Sequence, residues 1–308
     1  TCAPDFLWRG EGEAGVLRLL EEMTGRLSGS PPEAVKGNGD MDHLPMPEYG
    51  LLYNRKALAI ETSRGCPFRC DYCASGVLFP RYRRKSPGRV ADEIEAAVSC
   101  FGTEDFAFYD DALLHRAQEH FVPMAREVIR RGIRARHHLP NSVFASHVTP
   151  EVAGLMKEMG FRTIRLSLES TNPERLRKLN RGITADHFAE AMRNLTGAGF
   201  KREDIGAYIL AGLPGQTSDE VIETARRAWE AGAVPRLAQY SPIPGTPHWT
   251  EAVSQARMDI ASEPLLHNDT VYHYISGAFT EKTLDEIKVW RSRLVRGDVE
   301  GGNESIFS

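Results

Sequence analysis

The chain of 308 residues is 41% hydrophobic and 26% charged, with a formal net charge of −4. This is ordinary globular usage with enough length for a sizeable core, and it excludes disorder as the default. The balance gives no basic field for long nucleic acid, and no apolar stretch approaches the roughly 18 to 20 residues of a membrane-spanning helix. Neither a charged leader nor an apolar signal segment opens the chain, which starts at Thr1 rather than Met as a fragment or excised domain would. A soluble, cytoplasmic protein is expected.

Taken in chain order, Val16, Leu17, Leu19, Leu20, Met23 and Leu27 fall on one face of a helix over 14–27. Residues 28–41, with Gly29, Pro31, Pro32, Gly37 and Gly39, read as a loop. Leu44-Pro45-Met46-Pro47-Glu48-Tyr49 reads as extended, because residues before proline are pushed out of the helical region. From residue 56 onward, strand-like runs at 57–62, 105–109, 134–139, 163–168, 205–210 and 236–240 alternate with amphipathic runs at 89–100, 117–131, 150–159, 173–179 with 185–197, and 218–231. Six such alternations predict a parallel sheet with helices outside. A complete eight-unit barrel takes about 250 residues, so 56–242 supply only part of one. The stretch 249–274 has no clean period, 280–295 reads as a closing helix, and 297–308 as a frayed tail.

Directly after the first strand stands Arg64-Gly65-Cys66-Pro67-Phe68-Arg69-Cys70-Asp71-Tyr72-Cys73, three thiols within eight residues. Structural zinc takes four ligands, usually in pairs, so a zinc knuckle here would borrow from Cys2, Cys100 or one of the ten His. A cubane iron–sulfur cluster on three Cys instead leaves one iron open to a ligand the protein does not supply. Five Cys with three clustered make no disulfide framework, and cluster-binding thiols must be reduced. Cys-x3-Cys-x2-Cys with aromatic Tyr72 before the last Cys resembles the signature of the radical S-adenosylmethionine (SAM) superfamily. The resemblance implies a [4Fe–4S] cluster on Cys66, Cys70 and Cys73 whose free iron is chelated by the amino and carboxylate groups of SAM. It implies reductive cleavage of SAM to methionine and a 5′-deoxyadenosyl radical, and an electron donor such as flavodoxin or ferredoxin. It also implies an α/β fold, a partial (β/α)6 TIM-like barrel over 51–247. An N-terminal helical and linker remnant at 1–50 and a C-terminal helical extension at 248–308 would flank it.

Ligands of parallel α/β folds sit at the carboxyl ends of the strands, where the cysteine loop also lies. Phe68 and Tyr72 in that loop are cofactor-binding candidates. The second strand ends in Asp110 and Asp111, which either cap the next helix or bind the amino group of SAM. The third leads into His137-His138-Leu139-Pro140-Asn141; adjacent His point to opposite faces and do not chelate one metal, whereas Asn141 is placed to reach the cavity. The fourth carries Ser167 and Glu169, with Arg181 twelve residues past Glu169. That pair either bonds to itself or divides the ribose or amino group and the methionine carboxylate of SAM. The latter is what a resemblance to the fourth-strand motif of oxygen-independent coproporphyrinogen dehydrogenases implies. In the fifth unit Leu210 offers an apolar flank for adenine, and Tyr208 stands where some relatives place an acid. The turn Gly212-Leu213-Pro214-Gly215 allows close backbone approach, with Gln216 where relatives often have Glu. Ser241 to Pro247 form a rigid turn. The basic run Arg81-Tyr82-Arg83-Arg84-Lys85 is a solvated loop or a clamp for an anionic substrate. Tyr82, His248 and 249–274 flank the expected mouth as candidate substrate contacts.

Gly10-Glu11-Gly12-Glu13, the first helix and residues 44–49 resemble the junction in radical SAM proteins that carry a cobalamin-binding domain upstream. The Asp-x-His-x-x-Gly ligand motif of that domain is not in these residues, so cobalamin is an inference about an upstream region. The expected activity is hydrogen abstraction from an unidentified small-molecule or peptide substrate, leading to methyl transfer or ring formation. The competing expectations are a radical enzyme using SAM alone and a non-enzymatic protein whose triad holds zinc or a redox cluster.

Overall fold

A computed structural model describes residues 11–25, 41–277 and 279–298. Its six main strands are β1 (Ala57–Ile60), β2 (Asp105–Phe108), β3 (Arg136–His138), β4 (Phe161–Glu169), β5 (Ile205–Ala211) and β6 (Val234–Gln239). Each lies within two residues of its expected bounds. They pair in parallel and in chain order, β1 and β6 forming the edges, so the barrel is partial. The short strand Val143–Phe144, which sequence reading did not foresee, pairs with the upper half of β4 opposite Leu166 and Ser167.

The helices are α1 (Gly12–Thr24), α2 (Ser75–Leu78), α3 (Pro87–Phe101), α4 (Phe121–Arg130), α5 (Pro150–Met159), α6 (Pro173–Lys178), α7 (Ala185–Gly197), α8 (Ser218–Glu230), α9 (His248–Gln255), α10 (Asp269–Ser276) and α11 (Glu281–Arg296). Ser86, Thr149 and Asn172 cap α3, α5 and α6, each with Pro at the first helical position, where a missing N–H costs nothing. On the strands the period of two sends Leu58, Ile60, Phe106, Phe108, Ile164, Leu166 and Ile209 into one core shared with the helices. Burial of each such side chain contributes roughly 1.5–3 kcal/mol. The opposite faces of β4 and β5 turn Arg165, Ser167 and Tyr208 inward. His137 and His138 divide in the same way. His137 packs among Phe106, Phe108 and Phe161, whereas His138 holds Thr163 Oγ1 at 2.9 Å and Asp105 Oδ1 at 3.0 Å.

Three expectations change. The irregular 249–274 contains α9 and α10, each eight residues long and separated by Pro264, too short for a period to show. They close a smaller core of Leu179, Leu210, Leu213, Tyr240, Ile260 and Tyr272. The basic run is neither solvated nor available as a clamp over most of its length. Lys85 is buried on Glu93 at 2.8 Å, Arg84 meets Glu119 at 2.9 Å, and Arg83 pairs with Glu11. Finally, α1 ends at Thr24 with Gly25 as its left-handed cap, and Val16, Leu20 and Met23 of its apolar stripe are 54%, 44% and 61% exposed. Its start is held by Glu11 and Glu13 on Arg64 at 3.0 and 2.7 Å. Leu27, the loop to residue 40 and the tail from 299 lie outside the described residues.

Buried imidazoles set how this core responds to acid. Burial pushes His120 and His137 down from 6.5 to about 4. Each takes up its proton in the unfolded chain first, so the stability it gives is complete above 6.5 and is lost as pH falls toward 4. Asp110 works the other way: burial raises it from 3.8 to about 6, so its contribution is full below 3.8 and is lost as pH rises through about 6. Of these three groups the two imidazoles outweigh the one carboxyl near pH 5, so together they take up protons on unfolding and lower stability as pH falls. Denaturant titrations at neighbouring pH values check this, and a stability that is flat or rises on acidification contradicts it.

Candidate active site

The cysteine loop leaves the carboxyl end of β1 and is tied down from several sides. The Asp71 N–H donates to the Leu179 carbonyl at 3.2 Å, Asn180 Nδ2 to the Arg69 carbonyl at 2.7 Å, and the His248 N–H to the Asp71 carbonyl at 3.0 Å. Gly65, with φ +84°, starts the loop where a Cβ would stand 2.6 Å from the Arg81 carbonyl oxygen. Backbone on both sides cannot yield cheaply, so Gly65→Ala is expected to cost about 1–3 kcal/mol and to displace Cys66. Chemical denaturation together with iron retention measures this; unchanged values for both exclude it.

Cys66, Cys70, Cys73, Phe68 and Tyr72 all line one cavity of about 430 Å³. The three thiols are free; Cys66 is buried and the other two are half-buried. Burial pushes the Cys66 thiol up to about 11. It also raises Cys70, against which the Arg181 charge acts, Arg181 Nη1 donating to Cys70 Sγ at 3.2 Å. The Ser75 N–H donates to Cys73 Sγ at 3.5 Å. Cationic and amide donors aimed at sulfur stabilise thiolates and metal-bound sulfur. Among the described residues no three His, Cys, Asp or Glu groups are placed to hold a single metal ion. A cubane anchors each thiolate on a different iron, so a triad spread around a cavity fits it better than it fits one zinc.

Facing the loop is the end of β4. A register shift against β5 between Ser167 and Glu169 bends the strand, and Glu169 takes φ +64°, a left-handed conformation that is strained for a side chain of this kind. This aims its carboxylate into the cavity at 5% exposure, where it accepts from the Tyr72 hydroxyl at 3.0 Å and lies 3.4 Å from Arg181 Nη2. Burial raises Glu169, offset in part by Arg181. Arg181, 9% exposed, is pulled down by burial and held up more strongly by Glu169, Tyr72 and Cys70, so it stays charged. Its Nε and Nη2 are buried without a hydrogen-bond acceptor, donors still open toward a ligand. Its guanidinium carbon sits 4.2 Å over the Phe144 ring, which stacks on Phe68 at 3.8 Å between centroids.

Asp111, Asn141, Tyr208 and Leu210 also line the cavity, with Asn141 Nδ2 donating to the Tyr109 carbonyl at 3.0 Å and the Tyr208 hydroxyl to the Pro140 carbonyl at 2.8 Å. Asp110 and Ser167 are not on its wall. Asp110 is fully engaged by the Thr62 N–H and by the Thr62 and Ser63 hydroxyls, both at 2.6 Å, and so fastens β1 to β2 beneath the cysteine loop. Ser167 Oγ donates to the Val143 carbonyl at 3.1 Å and seats the extra short strand. Of the candidate substrate contacts, Tyr82 packs its ring against His115 at 5.0 Å and His248 against Tyr240 at 5.8 Å, and neither lines the cavity. Phe144 was missed, because a two-residue strand after Pro140-Asn141-Ser142 leaves no periodic signal. Gln216 has a reason to depart from Glu. Its Oε1 accepts from the Gly212 and Leu213 N–H groups at 2.9 and 3.2 Å while its Nε2 donates to the Leu210 carbonyl at 2.9 Å, a role that an ionised carboxylate cannot fill.

Residues 60–228, a span that takes in the cysteine loop, the parallel strands from β2 to β5 and the charged end of β4, match the radical SAM superfamily. The chain belongs to that superfamily, whose members use a [4Fe–4S] cluster and SAM. It is 29% identical over 261 residues to the uncharacterized methyltransferase PH0819 of Pyrococcus horikoshii, covering 81% of this chain and 55% of that protein. It is 25% identical over 283 residues to the anaerobic magnesium-protoporphyrin IX monomethyl ester cyclase of Cereibacter sphaeroides, covering 82% and 45%. The chain thus spans about half the length of the curated relatives it matches. Among solved structures, the radical SAM methyltransferase TsrM from Kitasatospora setae with tryptophan and a SAM analogue bound superposes with a TM-score of 0.64 at 20% identity, over 80% of this chain and 53% of that one. At that identity the likeness shows the fold.

Proposed function

We propose that the chain is the catalytic core of a radical SAM enzyme that performs methyl transfer or ring formation with a cobalamin held by an upstream domain. The division into a remnant at 1–50, a core at 51–247 and an extension at 248–308 is part of this reading. The observation that carries it is the convergence of three free thiols and the Glu169–Arg181 pair on one cavity. The relatives named as a methyltransferase and a cyclase support the reaction class.

When bound, the cluster supplies the electron that cleaves SAM to methionine and the hydrogen-abstracting 5′-deoxyadenosyl radical. The protein positions and shields. Cys66, Cys70 and Cys73 hold the cluster, and the Arg181 cation beside Cys70 offsets negative charge at sulfur. The open Arg181 donors receive a carboxylate, Glu169 receives an amino group or ribose hydroxyls, and Asp111, rather than Asp110, is the acid within reach. Leu210 and the Phe68–Phe144 stack provide apolar walls that keep water from a reactive intermediate. A flavodoxin- or ferredoxin-like protein is the electron donor in this reading, and the cytoplasm the compartment. Among the described residues no helix is long and apolar enough to cross a membrane.

Anaerobic reconstitution with iron and sulfide, followed by dithionite and SAM, should yield 5′-deoxyadenosine and a spectral response to SAM. A protein that holds tetrahedral zinc, or a cluster unresponsive to SAM, overturns the reading. Corrin absorbance in the longer protein tests the cobalamin part.

A further inference from the structure

A second cavity of about 460 Å³ adjoins the first, with Tyr208 in the wall of both. Its charged lining is wholly positive: Arg165 from β4, Arg236 from β6, and Lys288 and Arg291 from α11. Among the described residues no carboxylate lines it. The nearby acid is Asp285, 3.7 Å from Lys288 and itself 61% exposed. Arg291 Nε and Arg165 Nη1 donate to neutral carbonyls, Pro235 at 2.9 Å and Ile164 at 3.2 Å. Arg131, by contrast, meets Asp92, Glu95 and Glu127, Arg136 meets Asp105, and Arg175 meets Glu220.

The cluster is also built rather than scattered. Tyr208 stands opposite Arg236, and Gly206 opposite Arg165, in the register of the sheet. A Cβ on Gly206 would meet Arg165 Cδ at 2.8 Å, so glycine clears the floor on which that guanidinium lies. Burial, and after it the charge of Arg236, pushes both Arg165 and Arg291 below their ordinary values. Arg165 and Arg291 are half-buried, Arg236 and Lys288 exposed. Like charges held together where part of the cluster is shielded from water are unfavourable unless an anion joins them, and guanidinium groups match oxyanions in shape and charge.

We propose that this cavity is a subsite for an oxyanion, a phosphate or carboxylate group, carried by the substrate, whose reacting end then passes Tyr208 into the cysteine-lined cavity. The assignment deepens the reading that the first cavity holds SAM and rests on it for the substrate's orientation. Calorimetric titration of the chain with pyrophosphate, and separately with citrate, at constant ionic strength reads the subsite without cluster, SAM or turnover. One saturable site is expected for at least one of the two, weakened about tenfold or more in Arg165→Gln/Arg236→Gln and in Lys288→Gln/Arg291→Gln. Preference for pyrophosphate assigns a phosphate, and preference for citrate a carboxylate. The second pair lies on α11, outside the sheet, and keeps the test decisive should the strand variants fail to fold; circular dichroism and the thermal midpoint monitor both. Binding no tighter than that of chloride, or unchanged in folded variants, overturns the subsite. Iron content and 5′-deoxyadenosine formation are measured separately. Lost anion binding with SAM cleavage intact sinks only the subsite, and pyrophosphate binding by a zinc-bearing protein sinks only the radical reading.

Discussion

Removing the guanidinium in Arg181→Met lowers the unfolding free energy by roughly 3–5 kcal/mol, because the Glu169 carboxylate is then left buried beside only the Tyr72 hydroxyl. The loss is not that of an exposed ion pair, for which about 0–1 kcal/mol is usual; Arg181 and Glu169 are 9% and 5% exposed. Glu169→Gln should cost less, since Tyr72 still has an oxygen to donate to. The double variant should recover part of the Arg181→Met loss, with a coupling of about 0.5–3 kcal/mol. Denaturant unfolding of the four proteins measures the cycle. Strict additivity would mean that the two side chains do not sense each other.

The second large effect is on activity. Cys73→Ala deletes one anchor from a half-buried position, so the fold should survive with a change of about 1 kcal/mol or less. Iron retention after anaerobic reconstitution and 5′-deoxyadenosine formation should both fall to background, because an incomplete set of thiolates no longer fixes the cubane. The same holds for Cys70→Ala, with the added loss of the Arg181 contact at 3.2 Å. Full iron content and SAM cleavage in either variant would remove that thiol from the cluster.

Much of this site is readable in the chain because its key groups sit at fixed offsets from strands. Cys66 stands six residues past the end of β1, Glu169 ends β4, and each strand is a short apolar run whose period survives in sequence. What sequence does not show is decided by sheet register and by partners far along the chain. Asp110 and Asp111 are neighbours of one chemical type, and only the close approach of Thr62 and Ser63 draws the first away from the cavity. Lys85 and Arg84 look solvated until Glu93 and Glu119 are brought up to them. Arg165 and Arg236 belong to different strands, and Arg291 to a helix 55 residues beyond Arg236, so their shared cavity has no linear signature. The apolar stripe of α1 is legible, yet among the described residues nothing covers Val16 or Met23.

The clamps on the cysteine loop set an order of events during synthesis. Arg181 reaches Cys70 across 111 positions, and Leu179 and Asn180 grip the backbone of the same loop. A growing polypeptide whose first three strands have already emerged from the ribosome still lacks the side chain that secures the middle thiol. Insertion of iron and sulfide therefore belongs late, after the fourth strand and its following helix have docked. A truncation between Asn141 and Glu169 leaves the ligands present in the chain without the frame that presents them.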